Sequence, residues 1–525
     1  MLDHFPFYLL LILSIVLLIM LANKIKVAYP ILLVIAGLLI SIIPGVPVTK
    51  IDPELIFIIF LPPLLYEAAW SISWKELWRW RRIITSFAFI VVFLTAMTVA
   101  FAANYLIPGF SLALGFLLGG IVSPPDAVSA NAILKFVHVP KRMSSILEGE
   151  SLLNDASSLI IFRFAMIAVG TGQFIWLDAT LSFTWMVVGG VAIGLLIGWL
   201  FMKIHKYLPT DASMDIILTI ITPYTIYIFA EEIHSSGILA VVSAGLLLSN
   251  KRHHFLNSSS RVKGVNVWES FVFALNGLVF MLIGLDMPEI TAGLKQDGIP
   301  FSTAIWYGLL VTIILIVVRM LAAFGAVLTT FIMRNFINVA ERNPGFKGPV
   351  LLGWTGMRGV VSLAAALSIP EQLSEGVAFP QRNLILFITF IVILTTLLVQ
   401  GLSLPLLIKK LHIAGYHDYM PEHEANEFIK TALAQHSLQH LTARYQKELD
   451  TNAAVQQIAE KCRLKNLYNL SPVMSAEVKS IYLDLLEEQR KWLLEKNKSD
   501  LHFDEDIIRK YLHQLDIEEE KFRYM

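Results

Sequence analysis

Residues Glu150-Ser151-Leu152-Leu153-Asn154-Asp155 place two carboxylates, a hydroxyl and a carboxamide within two turns of an otherwise apolar run, 147–170. At about 3.6 residues per turn, Ser151 and Asp155 share one face, with Glu150 and Asn154 one row beside them. An ionisable group at the centre of a membrane helix costs roughly 2.5–3.5 kcal/mol on insertion scales, so a chain that carries one there is expected to use it on an ion or a proton. A further carboxylate, Asp126, follows Ser123-Pro124-Pro125. Asp155, Asp126 and Ser151 together offer only oxygen ligands, which suits a hard cation such as Na+ and gives nothing to soft metals. Two carboxylates in a medium of low dielectric hinder each other's ionisation. A carboxylate that holds either a proton or a cation, never both, is sufficient for exchange once it is exposed to the two sides in turn.

The elements that must position these groups are apolar segments of spanning length near 5–22, 28–43, 55–70, 83–105, 111–135, 147–170, 181–202, 213–230, 237–250, 267–286, 302–332, 348–368 and 384–408. They predict an all-α polytopic membrane protein with about thirteen spans. Two spans contain helix breakers. Pro124 and Pro125 remove two backbone donors from the fifth span, and Asp126 then stands where the helix restarts and can cap its amides. The twelfth contains Gly353-Trp354-Thr355-Gly356-Met357-Arg358-Gly359, whose three glycines favour unwinding. If spans 1–6 and 8–13 are two repeats, both breaks fall in the fifth helix of a repeat, and the repeats start on opposite sides of the membrane. Two inverted repeats with unwound helices at matching positions point to a transporter's midplane site.

With 525 residues, 56% of them hydrophobic, and a mean hydropathy of +0.66, the chain is too apolar for a soluble multidomain protein. A formal net charge of zero hides an asymmetry. Residues 411–525 hold 15 Lys/Arg and 20 Asp/Glu, and charged residues fill about 30% of that tail against about 11% of what precedes it. Two domains follow: a membrane body over 1–410 and a helical cytoplasmic tail over 411–525. One cysteine, Cys462, excludes disulfides within the chain and cysteine-cluster metal sites, and no cofactor or nucleic acid is indicated. The run 5–22 reads as a first span rather than a cleaved signal, since no small-residue cleavage site follows it.

Loop charge orients the chain. Lys24, Lys26, Lys75, Arg79, Arg81, Arg82, Lys141, Arg142, Lys203, Lys206, Lys251, Arg252, Arg261, Lys263, Arg334, Arg342, Lys347, Lys409 and Lys410 all fall on one side. Only Lys50, Lys295 and Arg382 fall on the other. Under the positive-inside rule, the N-terminus is outside and the tail cytoplasmic. Within the tail, segments such as Ser475 to Lys496 and Asp504 to Phe522 read as amphipathic helices. Its histidines (His412, His417, His423, His436, His440, His502 and His513) are either a pH sensor or exposed groups on a solvated domain.

The other intramembrane charges have readier structural roles. Arg319 needs an acid, for which Glu150 is the natural candidate. Arg163, two turns beyond Asp155, reads as a member of a structural ion pair. Arg358 would offset the carboxyl ends of half-helices, and Glu67 lies near a helix end.

Phe60-Leu61-Pro62-Pro63-Leu64-Leu65-Tyr66-Glu67, Ser123-Pro124-Pro125-Asp126, Glu150-Ser151-Leu152-Leu153-Asn154-Asp155 and Gly356-Met357-Arg358-Gly359 occur in an order that resembles the monovalent cation:proton antiporters, the sodium/proton exchangers with an Asn-Asp motif, and chiefly their bacterial branch. The resemblance covers roughly 5–410. It implies that Asp155 is the shared ion- and proton-binding residue, with Asn154 its structural neighbour. Asp126, Ser151 and the Pro125 carbonyl would complete the cation shell, and Glu67 would act through water. Glu150 would pair with Arg319, the two unwound helices would cross, and Arg358 would neutralise the crossed helices. It also implies exchange of Na+ (or Li+ or K+) for H+ in the cell membrane with roles in pH and sodium homeostasis, electroneutrality from Asn154, and a homodimer in which a core bundle moves against a fixed one. Many relatives follow the broken-helix aspartate with proline; here both prolines precede it, which leaves the backbone ligand open. The tail resembles no named module and is a candidate to bind a regulator.

Two other classes compete. A cation channel predicts a polar stripe along a pore, whereas these charges cluster at one depth. An intramembrane protease predicts Gly-x-Ser-x-Gly, His-Glu-x-x-His or Tyr-Asp with Gly-x-Gly-Asp, none of which accompanies Asp126 and Asp155.

Overall fold

The computed structural model describes residues 5–43, 53–137, 139–172, 176–336, 345–374, 377–411, 420–463, 476–499 and 503–523. Of the residues singled out above, Lys50, Arg342, His412, His417, Ser475 and His502 lie outside the described residues. The chain forms α1 (Phe5–Ile25), α2 (Tyr29–Ser41), α3 (Pro53–Ser71), α4 (Trp74–Thr85), α5 (Val92–Leu106), α6 (Leu112–Val122), α7 (Ala127–Leu134), α8 (Lys141–Thr171), α9 (Trp176–Tyr207), α10 (Ala212–Glu232), α11 (Gly237–Phe255) and α12 (Ser258–Leu285). There follow α13 (Met287–Gln296), α14 (Phe301–Met333), α15 (Lys347–Trp354), α16 (Val360–Leu367), α17 (Arg382–Leu411), α18 (Glu422–Arg444), α19 (Gln446–Thr451), α20 (Ala453–Arg463), α21 (Ala476–Ser499) and α22 (Glu505–Arg523). Among the described residues, nine helical stretches are long and apolar enough to cross a membrane; Tyr29–Ser41 and Phe57–Ser71 are shorter apolar helices.

Two local outcomes differ from the expectations. A short antiparallel pair, β1 (Gln372–Ser374) and β2 (Val377–Ala378), interrupts an otherwise helical chain. And Lys75, Arg79, Arg81 and Arg82 stand on α4 rather than in a loop. The cause is an N-cap: Ser73 Oγ accepts from the Glu76 amide at 3.2 Å, so the helix starts at Trp74 and runs on to Leu106. A π-helical turn, Ser86–Val91, joins α4 to α5, and Ser157 Oγ of α8 donates to its Ala88 carbonyl.

The chain divides into two compact units. The first holds residues 1–204, 218–251 and 268–415. Its tight seams are lined with small residues: a Cβ at Gly119 of α6 would overlap the Ala96 carbonyl of α5, and one at Gly194 of α9 would overlap the Ala240 carbonyl of α11. Such contacts let backbones approach closely where lipid supplies no hydrophobic drive. Leu10, Leu17 and Met20 of α1 and Leu321 and Leu328 of α14 point outward, as lipid-facing side chains do.

The second unit holds 205–217, 252–267 and 416–525. Its apolar core includes Ile429 and Leu433 of α18, Ile458 of α20, Leu485 of α21 and Ile508 and Leu512 of α22. A buried polar chain runs beside that core. His205 Nδ1 lies 2.8 Å from Asp215 Oδ1, and Ser260 Oγ donates to Asp215 Oδ2 at 2.6 Å. Arg261 binds Asp516 through both Nε and Nη2, and Arg490 Nη2 donates to the same Asp516 at 3.0 Å.

Candidate functional site

The two expected breaks are where the helices stop. α6 ends at Val122, and Asp126 caps α7: its Oδ1 accepts from the Val128 amide at 2.9 Å and its Oδ2 from the Ser129 amide at 3.3 Å and the Ser129 hydroxyl at 2.5 Å. α15 ends at Trp354 and α16 resumes at Val360. Four helix ends therefore lie inside the first unit, two presenting carbonyls (α6, α15) and two presenting amides (α7, α16).

The breaks hold one another. The Asp126 amide donates to the Met357 carbonyl at 2.7 Å. Arg358, 1% exposed, donates from Nε to Val122 O at 2.8 Å and from Nη2 to Ser123 O at 3.3 Å, and Nη1 binds Gly356 O. Its guanidinium thus saturates the carboxyl end of α6 with positive charge, as a helix dipole favours. Asp126 Oδ2 lies against the start of α16, where a Cβ at Gly359 would overlap it. Arg319 serves the remaining end, donating from Nε to Leu352 O of α15 at 3.2 Å. It also grips Glu150 in a two-bond fork, Nη1 to Oε1 at 2.6 Å and Nη2 to Oε2 at 2.9 Å.

α8 passes beside this crossing. Asn154, fully buried, donates from Nδ2 to the Pro125 carbonyl at 3.1 Å, while its Oδ1 has no hydrogen-bond partner among the described residues. Ser151 Oγ accepts from the Ala127 amide at 3.2 Å. Asp155 is buried, and among the described residues no donor hydrogen-bonds its carboxylate; Asp126 lies within its electrostatic range. With every acid ionised, Asp126, Glu150 and Asp155 set three negative charges against the two positive charges of Arg319 and Arg358. One negative charge is left over. Glu150 is matched by a guanidinium and Asp126 by helix amides, so the unmatched charge belongs to Asp155.

Several sequence expectations meet here: Asp155, Asn154, Ser151, Pro125, Asp126, Glu150 and Arg358 lie on the crossing or on the stretch of α8 against it, and Arg319 reaches it from α14. Glu67 stands apart, half-buried on α3 and in electrostatic range of Glu148 and Glu269. Glu148 lies two turns before Asp155 on α8, hydrogen-bonded to Asn131 and Ser144. Arg163 pairs with Glu231 of α10. Glu148, Glu231 and Glu269 were not singled out from the sequence, although each is an acid at the edge of an apolar run, the pattern that picked out Glu67.

The model of the family described as sodium/hydrogen exchanger, transmembrane, matches residues 10–410. A sodium, potassium, lithium and rubidium/H+ antiporter of Bacillus pumilus is 34% identical over 413 residues, covering 77% of this chain and 61% of that protein, so the chain spans about three fifths of that relative. An uncharacterized Na+/H+ exchanger of Escherichia coli is 29% identical over 494 residues, 89% of each chain. The solved structure of a sodium proton antiporter from Methanocaldococcus jannaschii superposes with a TM-score of 0.61 at 18% identity, over 78% of this chain and 99% of that one.

Proposed function

This chain belongs to the sodium/hydrogen exchanger family, and from that premise we propose that it is a secondary antiporter, not an enzyme, in which one monovalent cation and one proton compete for Asp155. The observation that carries the reading is the unmatched charge. A buried carboxylate with neither a base nor a hydrogen-bond donor among the described residues is costly when ionised and empty. A proton or a monovalent cation each removes that cost, and one excludes the other. Every other ionised group at the crossing is already compensated, so the site exchanges one charge for one charge. Asn154 supports the same stoichiometry. A carboxamide donates to the Pro125 carbonyl without changing its charge, where an aspartate would bring a second titrating group.

Asp155, Ser151 and Asp126 are the side chains proposed to meet the cation, with the unpartnered Asn154 Oδ1 an additional oxygen beside them. The Pro125 carbonyl accepts from Asn154, which leaves one lone pair for a cation. Alternating access then follows the two-repeat logic, with the tail on the cytoplasmic side under the loop-charge bias. Na+ leads because the ligands are hard oxygens. K+ and Li+ stand beside it, since the Bacillus pumilus relative carries potassium and lithium in its name.

Proteoliposomes holding a pH dye test this directly. Adding NaCl, LiCl or KCl outside is expected to move protons in the opposite direction, and Asp155→Asn to abolish the response. Retained exchange in that variant would remove Asp155 from the mechanism. An imposed membrane potential is expected to leave the rate unchanged; a strong acceleration would mean that more than one charge moves.

A further inference from the structure

The first unit contains a second arginine–carboxylate pair that the exchange site does not use. Arg163 lies eight residues beyond Asp155 on α8, about 12 Å along the axis at 1.5 Å per residue. It binds Glu231, in the last turn of α10. Both helices start beside the basic loops, so the pair lies on the opposite side of Asp155. The other Glu231 oxygen, Oε1, accepts from the Gly237 amide at 3.0 Å, which ties the carboxylate to the start of α11.

The pair also bounds a cavity of about 360 Å3. Ala156, Leu159 and Ile160 form its α8 wall, and Tyr227 and Glu231 its α10 wall. The cavity therefore reaches from the neighbour of Asp155 to the ion pair. What surrounds it differs from what it separates. On one side, α8 is held to α6 by close backbone approach, Gly120 lying against Phe162. On the other, Ser236 N donates to Met186 O at 3.2 Å and Trp185 Nε1 to Ile233 O at 3.2 Å, fastening the α10–α11 corner to α9. Close packing lies within each side, and between them lies a cavity that the Arg163–Glu231 pair bridges.

Exposure separates this pair from the one at the crossing. The Arg163 and Glu231 side chains are 36% and 27% exposed, those of Arg319 and Glu150 3% and 1%. The first pair is only partly buried, whereas separating the second would strand two buried charges. We propose that Arg163 and Glu231 form a gate on the side opposite the basic loops, joining the α8 wall to the α10 wall while Asp155 is closed to that side and parting when it opens. This deepens the exchanger reading and rests on Asp155 being the transported site.

The test uses the full-length chain in membranes with Ile160→Cys as a reporter in the cavity wall. A membrane-impermeant cationic methanethiosulfonate is added from the side opposite the basic loops, and modification is timed. Arg163→Gln and Glu231→Gln are each expected to accelerate modification about three- to fivefold, the range of a half-exposed ion pair. The double variant Arg163→Glu with Glu231→Arg is expected to return it to the parent rate. Equal rates in parent and single variants overturn the gate, as does a well-folded double variant that stays fast. Transport is measured in parallel. A gate that responds in a chain carrying no cation would support the gate and sink the exchanger reading, whereas intact exchange with unresponsive labelling would do the reverse.

Discussion

Between α6 and α7 the chain leaves its helix through two prolines and re-enters it at an acid. Between α15 and α16 it leaves through glycine-rich backbone and re-enters one residue after a base, Arg358. Asp126 satisfies amides of its own restarting helix, α7. Arg358 reaches across to the carbonyls of the other broken helix, α6. The acid of one break therefore serves its own restarting helix, whereas the base of the other serves both breaks, binding Gly356 O of its own as well as Val122 O and Ser123 O. Removing a group from the second should unsettle both, while the first should tolerate change as long as its cap survives.

The largest effect is expected at Arg358. Arg358→Ala strands the Val122, Ser123 and Gly356 carbonyls and should cost about 3–5 kcal/mol, seen as loss of monodisperse protein on heating in detergent. Arg358→Lys keeps the charge but not the fork and should recover only part of it. Equal stability of Arg358→Ala and parent would end the idea that the first break leans on the second. Gly359→Ala comes next, at about 1–3 kcal/mol, because its methyl group must displace the Asp126 carboxylate. If Asp126 is both cap and cation ligand, this variant should lose cation affinity as well as stability, read as a raised half-saturating cation concentration.

Asp126→Asn separates the two roles. The carboxamide still caps α7, so the melting temperature should fall by a degree or two while exchange falls at least tenfold. Unimpaired exchange would reduce Asp126 to a cap. Ser129→Ala is the mildest, removing one hydroxyl from Asp126 Oδ2 for about 1 kcal/mol. It should leave the second break, and transport, near the parent values.

Local signals made the breaks legible from sequence: two consecutive prolines and three glycines act on their own backbone. Glu150 with Arg319 was legible because each is an intramembrane charge of opposite sign with few alternatives. What could not be read was how the groups divide their bonding. Asp126 was legible both as a cap and as a ligand, but not that Val128 and Ser129 together would engage both of its oxygens. Asn154 was placed as a neighbour, but its bond to the Pro125 carbonyl depends on an encounter between residues 29 positions apart. Glu231 was passed over because it ends an apolar run, where acids are ordinarily solvated. The composition step near residue 410 likewise carries no sign that 205–217 and 252–267 gather with the tail.

That gathering bears on how the protein is made. Arg261 emerges from the ribosome 255 residues before Asp516, its partner. At about 5–20 residues per second, roughly 13–50 s separate the two. Throughout that interval Arg261 lacks the carboxylate that it is buried against in the folded second unit. The second unit can close only after synthesis has passed α22. The second unit is thus completed by a helix translated long after the segments it binds.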